Sequence, residues 1–140
     1  MKASFVGFGE IEIDGQSYDF DVIIDEGKIC KRKKKRSKPY RDQFGHTPLS
    51  VDEKIPWGGE SLIVGTGAYG QLPIMDEFFE EAEERGIEII SVPTEEACKI
   101  ISEKKDKKIR AILHVTCWRV RSYSRPDPNS SLMPAFNLRS

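Results

Sequence analysis

Hydrophobic and polar positions change rhythm partway along the chain. Glu10 to Asp14 alternate apolar and charged residues, Asp14-Gly15 signals a tight hairpin turn, and residues 16–24 alternate again through Tyr18, Phe20 and Val22. Asp25-Glu26-Gly27 supplies the next turn. This pattern predicts an antiparallel hairpin or meander. From residue 61 the style differs. Ser61 to Val64 form a short buried-strand run. Met75, Phe78, Phe79 and Ala82 then share one helical face, with acids on the rest. That helix is expected to start near Pro73 and to be capped by Gly86. Ile87 to Pro93 read as a strand. Thr94 is the expected cap of a second helix, with Glu95 and Glu96 in its first turn and Ala97, Ile100 and Ile101 on its apolar face. Arg110 to Thr116 read as the last strand. The order β-α-β-α-β predicts a parallel sheet with right-handed crossovers, hence an α/β domain with an antiparallel β addition at its front.

The stretch between these halves is less regular. Lys31 to Arg41 have no period and contain Pro39, which predicts a loop or an irregular edge. Ser50 with Glu53 offers a capping box for a short helix, stopped by Pro56 and Gly58-Gly59. Past Cys117 the pattern breaks. The expected organisation is one domain over residues 1–117 and an irregular tail over 118–140, in which residues 127–131 (DPNSS) resemble a translated cloning-site polylinker. A natural flexible tail fits the same composition.

Composition narrows the class. The chain has 140 residues, 38% hydrophobic and 32% charged, with a formal net charge of −1, a globular profile for one domain. No apolar run approaches the roughly 20 residues of a membrane span, and the N-terminus lacks a secretory pattern, so a cytoplasmic protein without membrane attachment is expected. Cys30, Cys98 and Cys117 form no C-x-x-C pair, which argues against a disulfide framework or a cysteine-based zinc site. The near-neutral total hides segregation. Residues 28–41 contain no acid, whereas residues 75–86 are acidic at nearly every polar position. Opposite charged poles of this kind favour self-association or a charged partner.

Gly65, Gly67 and Gly70 fall on G-x-G-x-x-G after a strand, the spacing of a dinucleotide fingerprint. Two further demands of that fingerprint are poorly met. Its third glycine belongs in the first helical turn, but Pro73 places the helix start beyond Gly70. An acid should close the second strand, which instead ends in Ser91-Val92-Pro93. No Gly-Lys-Ser/Thr follows, so a Walker loop is absent. Glycines that let the backbone turn sharply are the stronger reading, with a small anion-binding nest at Gly65 to Gly67 left open.

The chain resembles a family of small single-domain proteins that includes the adipogenesis-associated protein and a mitochondrial assembly factor for respiratory complex I. The resemblance rests on residues 44–50 (FGHTPLS), on LIVGTG with Leu72-Pro73, on residues 93–97 (PTEEA) and on residues 114–117 (HVTC), and spans about residues 5–117. It implies a three-layer α/β sandwich with a mixed, partly parallel central sheet. It transfers no catalytic machinery.

Three candidate sites follow. A ligand pocket could gather Gly65, Thr66, Gly67 and Gly70 with His46, Thr47 and Trp57; Trp57 alternatively lids the core or anchors a partner. His114 reads as a core histidine, with a His114–Cys117 nucleophile pair as the alternative. The basic residues Lys31, Arg32, Lys33, Lys34, Lys35, Arg36, Lys38 and Arg41 could meet phosphates, with Tyr40 stacking, but no nucleic-acid motif accompanies them. No cofactor and no metal is called for. The expectation is therefore a non-catalytic interaction or assembly-type protein whose partner is another protein or a second copy. A small-molecule or anion-binding domain, or a nucleic-acid binder, is the alternative.

Overall fold

A computed structural model describes residues 1–7, 9–45, 47–104 and 108–115. His46, Cys117 and the tail from 118 onward therefore lie outside the described residues, as does Thr116, the expected end of the last strand.

The front of the chain forms a three-stranded antiparallel sheet of β1 (Ala3–Gly7), β2 (Glu10–Ile13) and β3 (Gln16–Tyr18). Asp14 and Gly15, both at positive φ, close the β2–β3 turn. The predicted alternation does not continue as one strand. It breaks after Tyr18, and β4 (Val22–Asp25) enters a different, five-stranded sheet. β4 turns at Glu26-Gly27 into β5 (Lys28–Lys31). The basic run that follows is a 3-10 turn over Lys35–Tyr40 and a single turn of helix, α1 (Arg41–Phe44).

Strands β6 (Ser61–Gly65), β7 (Glu88–Val92) and β8 (Arg110–Leu113) complete the central sheet in the order β5-β4-β8-β6-β7. β6 runs parallel to both β7 and β8, while β4 is antiparallel to β8 and β5. Between them lie α2 (Asp76–Glu84) and α3 (Thr94–Glu103). The fold class is thus the expected mixed α/β sandwich.

Side-chain alternation along the central strands sorts the core into two layers. On one face Val22, Ile24, Ile63, Ala111 and Leu113 pack against Ile11 and Ile13 of the small sheet and Ala97, Cys98 and Ile101 of α3. On the other, Ile23, Leu62, Val64 and Ile112 pack against Phe78 and Ala82 of α2 and against Leu49 and Leu72.

Several local expectations are corrected. Helix α2 starts at Asp76, not Pro73, because Ile74 is held in a parallel bridge with Leu49. Phe79 is exposed rather than in the core. No helix forms after Ser50. The segment turns there, and Glu53 and Ser50 send their side chains into a buried polar cluster instead. Thr94 is the first helical residue rather than the cap, and its hydroxyl donates to the carbonyl of His114.

Candidate functional site

The register of the central sheet brings five chain segments together at one end. Val22 pairs with Lys31 and with Leu113, so the next positions, Asp21, Arg32 and His114, also fall side by side. The Arg32 amide donates to the Asp21 carbonyl at 2.8 Å, and the His114 amide to the Gly65 carbonyl at 2.9 Å. This row lies at the carboxyl ends of β6, β7 and β8, the usual place for ligand sites in α/β sheets.

Arg32 is the centre of the cluster and is fully buried. Its Nε and Nη2 donate to Glu53 Oε1 and Oε2 at 2.8 and 2.7 Å, a bidentate fork. Nη2 also donates to the Pro48 carbonyl at 3.0 Å, and Nη1 donates to Asp21 Oδ2 at 2.9 Å. Burial alone would push the guanidinium down, but the hydrogen bond and charge of Glu53, then Asp21, hold it above its ordinary range. Ser37 donates to Glu53 Oε2 at 2.5 Å and lies 2.7 Å from the Ser50 hydroxyl.

Asp21 is the second hub. Oδ1 accepts from the Val115 amide and Oδ2 from both Arg32 and His114 Nδ1, each at 2.9 Å. Lys34 Nζ stands 3.7 Å from the same Oδ2. Burial works to raise this carboxyl, but the His114 hydrogen bond and the charges of His114, Lys34 and Arg32 outweigh it and hold it well below the usual carboxylate range. Two buried carboxylates and one buried guanidinium leave one negative charge uncompensated, and Lys34 at the rim balances it.

This arrangement sorts the predicted cationic residues. Arg32 is not part of the surface: it is an internal counter-ion. Lys33, Lys35, Arg36, Lys38 and Arg41 are exposed, as is Lys31, whose ammonium lies 5.4 Å from the Phe20 ring centre. Tyr40 is committed to Asp52, donating at 2.7 Å, and that bond and charge, with a smaller effect of Glu77, push its hydroxyl up. The acidic helix therefore borders the basic run here.

The glycine loop is stitched to the β7–α3 junction. The Thr66 amide donates to Val92, the Gly67 amide to Thr94 Oγ1 and the Gly70 amide to Gly67. The Thr66 hydroxyl also donates to Val92. These amides are engaged within the protein rather than directed into a shared nest. Gly67 and Gly70 sit at φ 101° and 68°, and a Cβ on Gly65 would lie 3.0 Å from Thr94 Oγ1. Each glycine thus has a backbone reason to be there. Thr47 lies on the segment that pairs, through Leu49, with Ile74. Trp57 stacks on Phe78 with ring centres 5.0 Å apart, under the Arg85 guanidinium, as a cover on the α2 core. Among the described residues no group of side chains is arranged to hold a metal, and no helix is long and apolar enough to cross a membrane. Cys98 is buried, and burial, then Glu95, pushes its thiol up to about 11, so it is an unreactive packing residue. At the opposite end of the sheet a cleft of about 570 Å³ is lined by Gly58, Gly59, Lys104, Lys108 and Arg110. There Arg110 is paired with Asp25 and Glu26.

Residues 4–114 match the family described as proteins of unknown function, DUF498/DUF598. The chain belongs to this family. A conserved hypothetical protein from Pyrococcus horikoshii is 34% identical, with 84% of this chain and 100% of that one aligned at a TM-score of 0.66. A solved protein named MT938 is 25% identical over 83% and 98% of the two chains, at a TM-score of 0.57. A Xanthomonas campestris protein, 10% identical over 89% and 93% at a TM-score of 0.55, shares the fold alone. None of the curated proteins matches the chain.

Reading from sequence missed Asp21, Ser37, Ser50 and Glu53. A signal for the first was present. The turn at Asp25-Glu26-Gly27 sets a hairpin register in which Asp21 faces Arg32, an opposite-charge pair across two strands. Glu53 and His114 join through long-range pairing that no local pattern announces.

Proposed function

We propose that this family member is a non-catalytic, cytoplasmic interaction or assembly-type protein, and that an acidic protein surface docks on the cations of residues 31–41. The observation that carries this reading is the anchoring of the run. Arg32 and Ser37 are locked onto Asp21 and Glu53, while Lys33, Lys35, Arg36, Lys38 and Arg41 stay in solvent. A free lysine-rich loop loses much side-chain and backbone entropy on binding, and an anchored one loses less. The resemblance to the adipogenesis-associated protein and the complex I assembly factor points the same way. Tyr40, tied to Asp52, is poorly placed to stack on a base, which favours protein over nucleic acid.

The test reverses Lys33, Arg36 and Lys38 to Glu. Partners are identified by cross-linking and mass spectrometry in cells, and RNA and DNA binding is followed against salt by fluorescence anisotropy. A defined acidic protein or a second copy should cross-link through residues 31–41 and be lost in the triple variant, whose thermal unfolding stays unchanged. Partners that survive the reversal overturn the reading. Tight nucleic-acid binding that weakens steeply with salt replaces it with the nucleic-acid alternative.

A further inference from the structure

His114 is used differently from the rest of the charged cluster. Its Nδ1 lies 2.9 Å from Asp21 Oδ2. Asp21 is buried and ionised, with Arg32, the Val115 amide and Lys34 around it, so it can only accept. Nδ1 must therefore carry the proton, and in the neutral ring Nε2 presents a lone pair. The ring is 18% exposed, and among the described residues Nε2 makes no hydrogen bond. Asp21 already has Arg32 and the Val115 amide as donors, so satisfying it does not require an imidazole. A carboxylate that holds the inner nitrogen of a histidine fixes its tautomer and ring orientation, which leaves the outer nitrogen of this partly exposed ring available to a ligand. Lys34 Nζ, on the same carboxylate oxygen and 35% exposed, places a cation on the same rim. The position is the carboxyl edge of the parallel strands.

The geometry points to a small-ligand site at His114 and Lys34 for an oxyanion that still carries a proton, hydrogen phosphate being the simplest. The ligand O–H donates to Nε2, and a charged oxygen accepts from Lys34. Lys34 lies in the same run, but the solvent-facing cations that carry the docking surface, Lys33, Lys35, Arg36, Lys38 and Arg41, take no part in this site.

The probes are inorganic phosphate and sulfate, titrated at a pH where the ring's own ¹⁵N shifts show it neutral. The His114 ring nitrogens are followed by ¹⁵N NMR in the full chain. Sulfate has similar size and charge but no proton to give. Phosphate should shift Nε2 saturably and bind about tenfold or more tighter than sulfate, the margin of one charge-assisted hydrogen bond. His114→Asn keeps an N–H where Nδ1–H reaches Asp21 and removes Nε2. It should melt close to the parent yet lose phosphate by a similar factor, whereas a purely structural histidine would leave no phosphate binding to lose. Lys34→Ala should weaken both anions. Equal binding of phosphate and sulfate, no saturation, a proton found on Nε2 rather than Nδ1 in the neutral ring, or phosphate binding retained in His114→Asn would each overturn the site. The ring measurement on the parent decides the matter even if the variant fails to fold.

Discussion

Asp21 gathers donors from two other segments of chain, residues 32–34 and 114–115, and the acid response of the fold should pass through it. Its folded-state carboxyl is held below the ordinary value of 3.8. A group depressed in this way stabilises the fold above its unfolded pKa, and that contribution fades as pH falls through and below it. Replacing one partner of a buried ion pair costs on the order of 3 kcal/mol. Asp21→Asn should therefore lower the urea midpoint clearly at pH 7. The gap to the parent should then narrow as pH drops below about 4, because the unfolded chain takes up a proton on Asp21 there while the folded carboxyl still resists it. A gap that stays constant from pH 7 to pH 2 would show that Asp21 ionisation carries no stability. The same residue shows what a sequence hides. In the alternating pattern Asp21 reads as a solvent-facing strand position. It is buried because the strand breaks before it and the chain crosses from one sheet to the other.

Among the elements, the glycine loop has a packing explanation. Gly65 ends β6, against Thr94 in the first turn of α3. An added Cβ would meet Leu113 Cδ2 at 2.9 Å, Thr94 Oγ1 at 3.0 Å and the Thr94 backbone at 3.1 Å. Gly65→Ala should cost about 1–3 kcal/mol in urea unfolding, the usual range for overpacking. Gly7, which ends β1 with nothing within 4 Å of such a Cβ, is the control, and Gly7→Ala should lie within roughly 0.5 kcal/mol of the parent. Similar losses in both would mean that the close approach at Gly65 is tolerated and that the glycine is there for another reason. The elements most readable in the chain were those set by local rules: the Asp14-Gly15 turn, the hydrophobic strand at 61–64 and the two amphipathic helices. Those that misled were short polar signals with a distant competitor. Ser50 and Glu53 have the spacing of a capping box, yet Arg32 binds Glu53 more strongly than a helix terminus could. Thr94 resembles a cap, yet its hydroxyl bridges Gly67 and His114.

For the molecule as a whole, the two apolar cores of the described residues meet at the central sheet, and it makes them one cooperative unit. Neighbouring residues of β6 alternate between them: Leu62 and Val64 belong to the α2 side and Ile63 to the α3 side. Loss of either layer exposes one face of the same strands, so neither layer can melt alone without leaving a buried sheet half wet. Phe78 and Ile101, each fully buried on opposite faces, probe this. Phe78→Ala should cost about 3–5 kcal/mol and Ile101→Ala about 2–5 kcal/mol. Each should lower one common transition, seen identically by far-UV circular dichroism and by hydrogen exchange of the β4 and β8 amides. With the two side chains in different core clusters on opposite faces of the sheet, the double variant should show the sum within roughly 0.5 kcal/mol. If Phe78→Ala instead released α2 and its neighbours at a lower urea concentration than β4 and β8, the layers would be separate foldons. The α2 side would then be free to open while the ionic row at the carboxyl end stayed closed.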